Sequence, residues 1–226
     1  MPYPPEHRDA TRGRILESAQ ALFNRRGFTD VSIDEIMSRA GLTRGGFYTY
    51  FRDKSDLYAE AVEHTLAVTP WSRWERMHVD FAAREAAQQV IEAYLSREHF
   101  DDVDGSCPMV SLPSDVARSG SVVKRAFERV FSAMARVFEE ALQREGRPDP
   151  RLALAIAGIC VGGMVVARSV ESAELADAIR AAARGAALQL GSWNEDEAIH
   201  GHNGGSKRQA PQHRGRSPRK KSTSRG

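Results

Sequence analysis

Two short helical segments joined by one glycine constrain the fold of this chain more than any other feature of its sequence. Ser32 and Glu35 form a capping box ahead of apolar residues at helical spacing, which predicts the start of one helix. Gly41 ends that helix, since glycine alone takes a positive φ without strain. Thr43 then predicts the cap of a second, very short helix. Together these residues predict a helix-turn-helix, whose second helix can enter a DNA major groove.

The rest of the chain also shows apolar residues at helical spacing, and its sequence contains no convincing strand pattern. The fold is therefore predicted to be all-α, with an N-terminal three-helix helix-turn-helix domain and a larger C-terminal helical bundle. Beyond the helix-turn-helix, helices are expected at about residues 10–26, 53–66, 71–97, 114–119, 122–145, 150–170 and 173–190. The chain divides into a flexible N-terminal arm (1–9), a helix-turn-helix domain (10–54), a helical domain (55–193) and a disordered basic tail (194–226).

Charge is distributed unevenly along the chain. The formal net charge is +2, but residues 194–226 contain eight Lys/Arg against three Asp/Glu, so residues 1–193 carry a net charge of −3. Global basicity therefore gives no argument for nucleic-acid binding, and a local patch has to provide one. The basic tail would either add salt-sensitive, non-specific DNA affinity or be an idle solvated extension.

Cysteine and histidine spacing indicates no metal site and no cofactor. Cys107 and Cys160 lack ligand spacing and form no disulfide framework, which fits a reducing cytoplasm. The uncharged stretch 152–167 is shorter than the roughly 20 residues that span a bilayer, so we expect a buried helix and no membrane partner. The sequence also shows no nucleophile–base pair and no phosphate loop, so we expect no enzyme activity.

The short helix after Gly41 carries groups suited to DNA. Thr43 places a hydroxyl and backbone amides at a helix N-terminus, where they can bind a phosphate. Arg44 has the reach and the forked geometry to contact guanine O6 and N7. Tyr48 and Tyr50 offer hydroxyls for phosphate contacts, although plain packing remains an open alternative for each tyrosine.

Lys54 and two glycines are unusual for helix stability. Lys54 lies in the first turn of the next helix, where a cation opposes the helix dipole by roughly 0.3–1 kcal/mol. It is either a phosphate clamp or a solvated lysine with a small penalty. Gly45 and Gly46 each destabilise a helix by about 1 kcal/mol relative to alanine. They either let the segment fray until DNA orders it, or let the backbone approach the bases closely.

This pattern resembles the tetracycline-repressor (TetR) family of bacterial one-component regulators. The residues that carry the resemblance are Arg14-Ile15-Leu16, Ala19, Leu22-Phe23, Gly27-Phe28, Ser32-Ile33-Asp34-Glu35-Ile36, Ala40-Gly41-Leu42-Thr43-Arg44-Gly45, Phe47-Tyr48, Phe51, Lys54 and Leu57. The helical remainder to about residue 190 is compatible in length and helix order. Gly46 departs from the family, which more often has a small hydroxyl residue or alanine there.

The resemblance implies a double-stranded DNA operator as partner and homodimers as the working form. It implies phosphate contacts at Ser32, Thr43, Tyr48, Tyr50 and Lys54, and base readout near Arg44, Gly45, Gly46 and Thr49. It also implies that residues 55–193 bind a ligand and dimerise.

Small residues on the last two helices support a homodimer independently of the resemblance. Glycines on the first helix and an alanine stripe on the second allow close approach, so two helices from each subunit would form a four-helix bundle. The expected interface residues are Ile156, Gly158, Gly162, Gly163, Ile179, Ala182 and Ala186. A two-fold dimer would place its DNA-binding domains one DNA turn apart, which predicts a roughly palindromic operator.

The resemblance also implies a pocket for an unidentified small-molecule effector in the C-terminal domain. Its candidate lining residues are Trp74, Met77, Phe81, Cys107, Met109, Phe127, Phe131, Met134 and Phe138. An aromatic and methionine stripe at helical spacing is also typical of a plain core. Cys107 is either a thiol that senses oxidants or electrophiles, or a packed spectator.

We therefore expect a homodimeric transcriptional regulator, most simply a repressor that a small molecule releases from its operator. The alternative from another class is a protein-binding adaptor or small-molecule carrier that has lost DNA binding, or a helical enzyme. The sequence leaves open the effector, the operator, the target genes and the sign of regulation.

Overall fold

The computed structural model describes residues 5–67 and 79–193, and these ranges contain helices and no strand, so the all-α prediction is confirmed. The helices in chain order are α1 (Pro5–Arg26), α2 (Ile33–Arg39), a 3₁₀ helix (Arg44–Thr49), α3 (Lys54–Ala67), α4 (Ala86–Tyr94), α5 (Arg97–Asp101), α6 (Pro108–Ser111), α7 (Pro113–Arg118), α8 (Ser121–Arg144), α9 (Pro150–Arg168) and α10 (Ala173–Leu190). Trp74, Met77 and the tail 194–226 lie outside the described residues.

Helices α1, α2 and the 3₁₀ helix surround a small apolar core. We call these three helices and their core the head. Phe23, Ile36 and Phe47 in this core have no exposed surface. Gly41 ends α2 with φ +71°, as predicted, and Gly27 ends α1 in the same left-handed way with φ +76°. The Gly27 N–H donates to the Phe23 carbonyl at 2.8 Å, which closes the last turn of α1.

Helix α1 begins earlier than the sequence analysis expected. Residues 5–9, which were assigned to the flexible arm, form its first residues. The expectation followed apolar periodicity, which starts later in the chain. Pro5, at the favoured first helical position, is the signal that marks the true start.

A single helix over residues 71–97 is also not what the structure shows. Within the described part of that range, residues 79–85 are not helical and α4 covers only Ala86–Tyr94. Ser96 starts a new helix because its backbone is extended and its hydroxyl accepts a hydrogen bond from the His99 N–H at 3.0 Å. Phe81, which the sequence placed on this helix as a candidate pocket residue, therefore lies outside a helix and is 46% exposed.

The remaining helices form the body, in which α9 packs between α8 and α10 while α8 also packs against α3. The expected bounds of α8, α9 and α10 are confirmed to within two residues. The Asp149 carboxylate caps α9 by accepting from the Arg151 and Leu152 N–H groups at 3.0 and 3.1 Å. Ser172 caps α10 in the same way. Because α3 packs against α1 of the head and against α8 of the body, it connects the two parts.

Among the described helices, α9 is the one that is long and apolar enough to cross a bilayer by length and composition. Ile156, Cys160 and Met164 on one face of α9 are fully buried in the body. Leu154 and Val166 on another face are 51% and 50% exposed. One face of α9 is thus buried in the core of the body, and another face is an uncovered apolar surface.

Candidate nucleic-acid interface

Two buried phenylalanines attach the 3₁₀ helix to the head. Phe47 is fully buried and Phe51 is 2% exposed, and their ring centroids are 5.7 Å apart. The Tyr50 and Phe51 N–H groups both donate to the Phe47 carbonyl, at 2.9 and 3.1 Å. One side of the 3₁₀ helix is therefore fixed, and the opposite side faces solvent.

That solvent-facing side carries five of the nine residues predicted to contact DNA. They are Thr43, Arg44, Gly45, Tyr48 and Thr49, all of which are exposed. Tyr48 is 63% exposed and lies edge-on against the Phe47 ring at 5.2 Å. Thr43 occupies the N-cap position with an extended backbone, but its hydroxyl makes no capping bond, contrary to the predicted side-chain cap. This hydroxyl is therefore available to a partner.

Ser32 begins α2 with its hydroxyl already engaged. The predicted capping box is present: the Ser32 N–H donates to the Glu35 carboxylate at 2.8 Å, and the Ser32 oxygen accepts from the Glu35 N–H at 3.2 Å. The Ser32 N–H and a bond from Arg26 lower the pKa of Glu35 to about 2. Since Glu35 stays ionised, a phosphate contact at Ser32 requires the hydroxyl to turn away from this carboxylate.

Arg44 forms an ion pair with Asp34 of the preceding helix. The Arg44 Nη1 lies 2.8 Å from the Asp34 Oδ2, and the two side chains are 63% and 56% exposed. Exposed pairs of this kind contribute about 0–1 kcal/mol. Arg44 is therefore restrained beside the helix-turn-helix but can exchange its partner at little cost.

Lys54 is partly buried instead of freely solvated. Its ammonium donates to the Phe28 carbonyl, lies 3.5 Å from the Thr29 carbonyl, and lies 4.3 Å from the centroid of the Phe28 ring. Burial lowers the pKa of Lys54, while Asp30 and Glu35 oppose that shift. The lysine thus supports the loop between α1 and α2, in addition to any phosphate contact.

Arg44, Lys54 and Ser32 come together around one shallow cleft on the head. The other residues that line it are Thr29, Asp30, Val31, Ile33 and Asp34. Residues 10–54 contain eight Lys/Arg and five Asp/Glu, so this domain has the local basic excess that residues 1–193 as a whole lack.

The two glycines and Tyr50 have different surroundings. A Cβ atom at Gly45 would meet nothing within 4 Å, and a Cβ atom at Gly46 would meet only the Met37 methyl at 3.7 Å. Neither position therefore has to be glycine for packing within the free protein. Tyr50 is half-buried against the head core, so the packing alternative fits Tyr50 better than Tyr48.

Arg8 is a cation beside the 3₁₀ helix that the sequence analysis did not single out. Its Nη2 donates to the Thr49 carbonyl at 3.3 Å, although the two residues are 41 positions apart. Pro5 as a helix start would have placed Arg8 on α1, but its position beside Thr49 depends on how the helices pack.

Polar bonds at the end of α1 tie the head to the body. The Asn24 side-chain amide donates to the Ser106 and Asp104 carbonyls at 2.8 and 3.1 Å. The Phe28 N–H donates to the Asp115 carboxylate at 2.8 Å. The turn around residues 102–107 and the start of α7 are therefore points of direct polar contact between the body and the head.

The residues expected to line an effector pocket occupy unlike environments. Cys107, Met109, Met134 and Phe138 are buried, Phe127 and Phe131 are half-buried, and Phe81 is exposed. Two clefts lined by described residues lie near the head, and neither includes any of this set. The exposure of Phe81 removes it from a closed pocket; the other described members remain a prediction.

Cys107 lacks the environment of a reactive thiol. It is 4% exposed, and burial raises its pKa to about 11. Burial also raises the pKa of Cys160, to about 12. Because the thiolate is the reactive form, both side chains are packed thiols near neutral pH.

Most of the predicted dimer residues lie on one uncovered surface. Gly158, Gly162, Ala182 and Ala186 are exposed, and Ile179 is half-exposed. Two residues require correction. Ile156 is fully buried in the body, and a Cβ at Gly163 would collide with Ala183 of the same chain, so both serve packing within the subunit.

Residues 15–61 match the family of bacterial regulatory proteins known as the tetR family. Over 53 residues the chain is 47% identical to the HTH-type transcriptional regulator AcrR of Shigella flexneri, covering 24% of this chain and 25% of that protein. Over 142 residues it is 26% identical to YxaF of Bacillus subtilis (strain 168), an uncharacterized HTH-type transcriptional regulator, covering 62% and 73%. The family match thus covers part of the head and the start of α3, and the chain spans a quarter of the length of AcrR.

Solved structures extend the likeness to the whole described fold. The reduced form of E. coli NemR superposes with a TM-score of 0.64 at 19% identity, covering 80% of this chain and 96% of NemR. The SmeT–triclosan complex superposes with a TM-score of 0.56 at 23% identity, covering 80% and 90%. The resemblance to the TetR family is confirmed: residues 15–61 match the tetR family, and the described chain has the fold of these solved structures.

Proposed function

We propose that this chain, whose head is the N-terminal domain of the tetR family, is a cytoplasmic DNA-binding transcriptional regulator. In this proposal it binds a palindromic operator as a homodimer and is released when a small molecule binds the body. The proposal rests on the exposed side of the segment from Thr43 to Thr49. Phe47 and Phe51 attach the opposite side of this segment to the head core. A fixed support with exposed polar groups on its outer side is what groove recognition requires.

The contacts divide into phosphate and base contacts. Thr43 and Tyr48 offer hydroxyls to phosphates, with Ser32, Tyr50 and Lys54 as further phosphate ligands. Arg44 exchanges Asp34 for a guanine edge, Thr49 is a further base-reading residue, and the absence of a side chain at Gly45 and Gly46 lets the bases approach.

The uncovered surface of α9 and α10 supports the homodimer. Leu154 and Val166 on α9, and Leu175 and Leu190 on α10, are each between 42% and 51% exposed. Gly158, Gly162, Ala182 and Ala186 provide the small residues of this surface, and Ile179 adds a larger apolar group. A second copy that packs the same surface across a two-fold axis would cover these apolar groups.

Release by a ligand requires that the ligand prefer a state whose heads are wrongly spaced for DNA. Moving the population from 1:99 to 99:1 needs a preference of about 10⁴-fold, or about 5.5 kcal/mol. The SmeT–triclosan complex supports this part, because a protein of the same fold accommodates a small organic molecule.

The adaptor or carrier alternative finds support only in the apolar surface of α9 and α10, which a protein partner could also cover. Salt-dependent retention on DNA separates the two functions, because an adaptor without DNA contacts releases no counterions.

Fluorescence anisotropy with the DNA upstream of this gene tests the proposal. We expect Arg44→Ala to weaken binding by roughly 10- to 100-fold, the range of one base contact. The charge-matched control Arg136→Ala, on the exposed side of α8, keeps wild-type affinity. Equal affinities for Arg44→Ala and wild type would remove the claim that this segment contacts bases.

A further inference from the structure

The first turns of α1 lie against the far end of the 3₁₀ helix. The Arg8 Nη2 donates to the carbonyl of Thr49, the last residue of that helix, at 3.3 Å. One α-helical turn further along α1, the Arg12 guanidinium lies 5.0 Å from the centroid of the Phe51 ring. Residues four apart on a helix share one face, so Arg8 and Arg12 both point toward residues 49–51.

Three arginines around residues 49–51 meet two carboxylates of α3. Arg12 pairs with Glu60, and Arg52 pairs with Asp56 at 2.5 Å. A hydrogen bond from Arg52 and, more weakly, the charge of Arg12 lower the pKa of Asp56, so the two pairs are neighbours. Arg8 is exposed and forms no ion pair with any residue whose side chain the structure describes. The positive charge that is left uncompensated here is therefore that of Arg8.

The Arg8 guanidinium also has hydrogen-bonding capacity to spare. A guanidinium carries five N–H donors, and the described residues engage Arg8 through the single bond to the Thr49 carbonyl. Because that bond is exposed to solvent, another acceptor can replace it at little cost. The planar fork of an arginine matches the oxygens of a phosphate, which accept two parallel N–H groups.

Arg8 and Arg44 lie at opposite ends of the 3₁₀ helix. Arg44 is its first residue and Thr49 its last, so at a rise of about 2.0 Å per residue the two ends are about 10 Å apart. Ser32 and Lys54 line the cleft at the Arg44 end. The major groove is about 12 Å wide and has a phosphate backbone along each side. Cationic groups at the two ends of the helix can therefore meet phosphates on opposite sides of one groove.

We propose that Arg8 is a phosphate ligand of the bound DNA, on the side of the major groove opposite Ser32 and Lys54. The first turns of α1 then form a second DNA-contact surface of the head. The inference rests on the proposed function, since it adds a contact to the same DNA complex. This contact strengthens binding to every duplex alike, because a phosphate carries no base identity.

The competing role for Arg8 is to cap the 3₁₀ helix. Carbonyls at the end of a helix lack partners within it, and a cation there also complements the helix dipole. A capping residue contributes to the stability and geometry of the free protein. A phosphate ligand contributes to the salt dependence of DNA binding, because each neutralised phosphate releases counterions. The two roles therefore differ in what they change.

Salt-dependent fluorescence anisotropy with the full chain tests the proposal. The probes are the duplex upstream of this gene and a scrambled duplex of the same length. Arg8→Gln removes the charge and keeps an amide N–H for the Thr49 carbonyl. We expect the slope of log K against log salt to become shallower by about 0.9 per subunit, or about 1.8 per dimer. Between about 50 and 200 mM salt the affinity ratio of wild type to variant should then fall about tenfold, on both duplexes.

Two further variants isolate the charge at this position. Arg8→Lys keeps the charge and should restore the wild-type slope. Arg14→Gln is the matched control: Arg14 is also exposed on α1, bonds to the Thr11 hydroxyl at 3.4 Å and forms no ion pair with a described residue. It lies about a third of a turn around α1 from Arg8, away from residues 49–51, so its removal should keep the wild-type slope.

A wild-type slope for Arg8→Gln overturns the phosphate contact, and so does an equal change of slope in Arg14→Gln. A lower Tm and a weaker preference for the upstream duplex, at an unchanged slope, would assign Arg8 to capping instead.

The preference of the wild-type chain for upstream over scrambled duplex tests the proposed regulator separately. Preference with an unchanged Arg8→Gln slope overturns the Arg8 contact alone. A changed slope without preference overturns the operator and leaves Arg8 as a DNA ligand. A wild-type chain that binds neither duplex overturns both claims.

Discussion

The guanidinium of Arg44 bonds to the carboxylate of Asp34 at 2.8 Å, which joins the 3₁₀ helix to the helix before it. The group expected to contact guanine is thus paired with an acid of its own domain in the free protein. In the proposed complex, DNA competes with Asp34 for Arg44. Because both side chains are more than half exposed, this competition costs about 0–1 kcal/mol.

Asp34→Asn should raise DNA affinity by a few-fold and leave stability within about 0.5 kcal/mol of wild type. The variant frees Arg44 and removes a negative charge from the cleft that Arg44 and Lys54 line. Anisotropy titrations with upstream DNA and with a scrambled duplex measure both affinities. The scrambled duplex should gain at least as much, since released Arg44 binds any phosphate.

Asp101→Asn is the control for Asp34→Asn, because it removes an acid from a similarly exposed ion pair, with Arg97, in the body. Its DNA affinity should not change. Weaker DNA binding by Asp34→Asn would mean that the acid positions Arg44 for DNA instead of competing with it.

Gly45→Ala should leave the fold intact and weaken operator binding by about tenfold or more. A Cβ atom at this position meets nothing in the free protein, so the only clash is with a closely approaching base. Circular-dichroism melting and anisotropy measure the two effects separately. Gly13→Ala, on α1 and equally unobstructed, should raise stability by about 0.5–1 kcal/mol without changing DNA affinity. Wild-type affinity of Gly45→Ala would show that no base approaches this backbone closely, which leaves local flexibility as the role of Gly45.

Acidification below pH 6.5 should destabilise the protein through His99. Burial lowers its pKa to about 4 in the folded chain, against 6.5 for the free side chain. Between these two values the unfolded chain binds the extra proton, so stability falls as the pH falls. The free energy of unfolding should drop by about 3 kcal/mol across this window. Urea denaturation at pH 7, 6 and 5 measures the drop.

His99→Gln should lose this component of the pH dependence while being less stable at pH 7, because the bond between the His99 Nδ1 and the Tyr94 carbonyl, 2.6 Å, is removed. His7→Gln, at the exposed start of α1, should keep the wild-type profile. Parallel profiles for wild type and His99→Gln would show that another group titrates in this range.

Val166→Glu should convert dimers to monomers and lower operator affinity, with little loss of subunit stability. Val166 is 50% exposed in the subunit, so a charge there is tolerated until a second copy covers it. Sedimentation velocity measures the mass. Val122→Glu places the same charge at a 45% exposed valine of α8 and should leave the dimer intact. A dimeric Val166→Glu would move the interface away from α9.

Local signals in the sequence predicted the head and the long helices because caps and glycine turns act over a few residues. Ser32 with Glu35 and the left-handed turn at Gly41 are both present where expected. Arg44 and Tyr48 lie on the exposed side because Phe47 and Phe51 attach the other side of this segment to the head.

Long-range contacts could not be predicted in this way. The Asp34 bond to Arg44, the Lys54 bond to the Phe28 carbonyl and the Arg8 bond to the Thr49 carbonyl depend on how helices pack. The sequence of α9 is apolar on nearly all sides, so it does not show which face is buried. Only the packing distinguishes Ile156, which faces the body, from Val166, which faces outward.

Hydroxyl-radical footprinting of the upstream DNA tests most directly whether two heads act as a pair. The account predicts two protected half-sites related by a two-fold axis, with centres about one helical turn, or a multiple of it, apart. Val166→Glu should lose this pattern while Val122→Glu retains it. A single unrepeated footprint, or protection that is equal along unrelated DNA, would contradict the account.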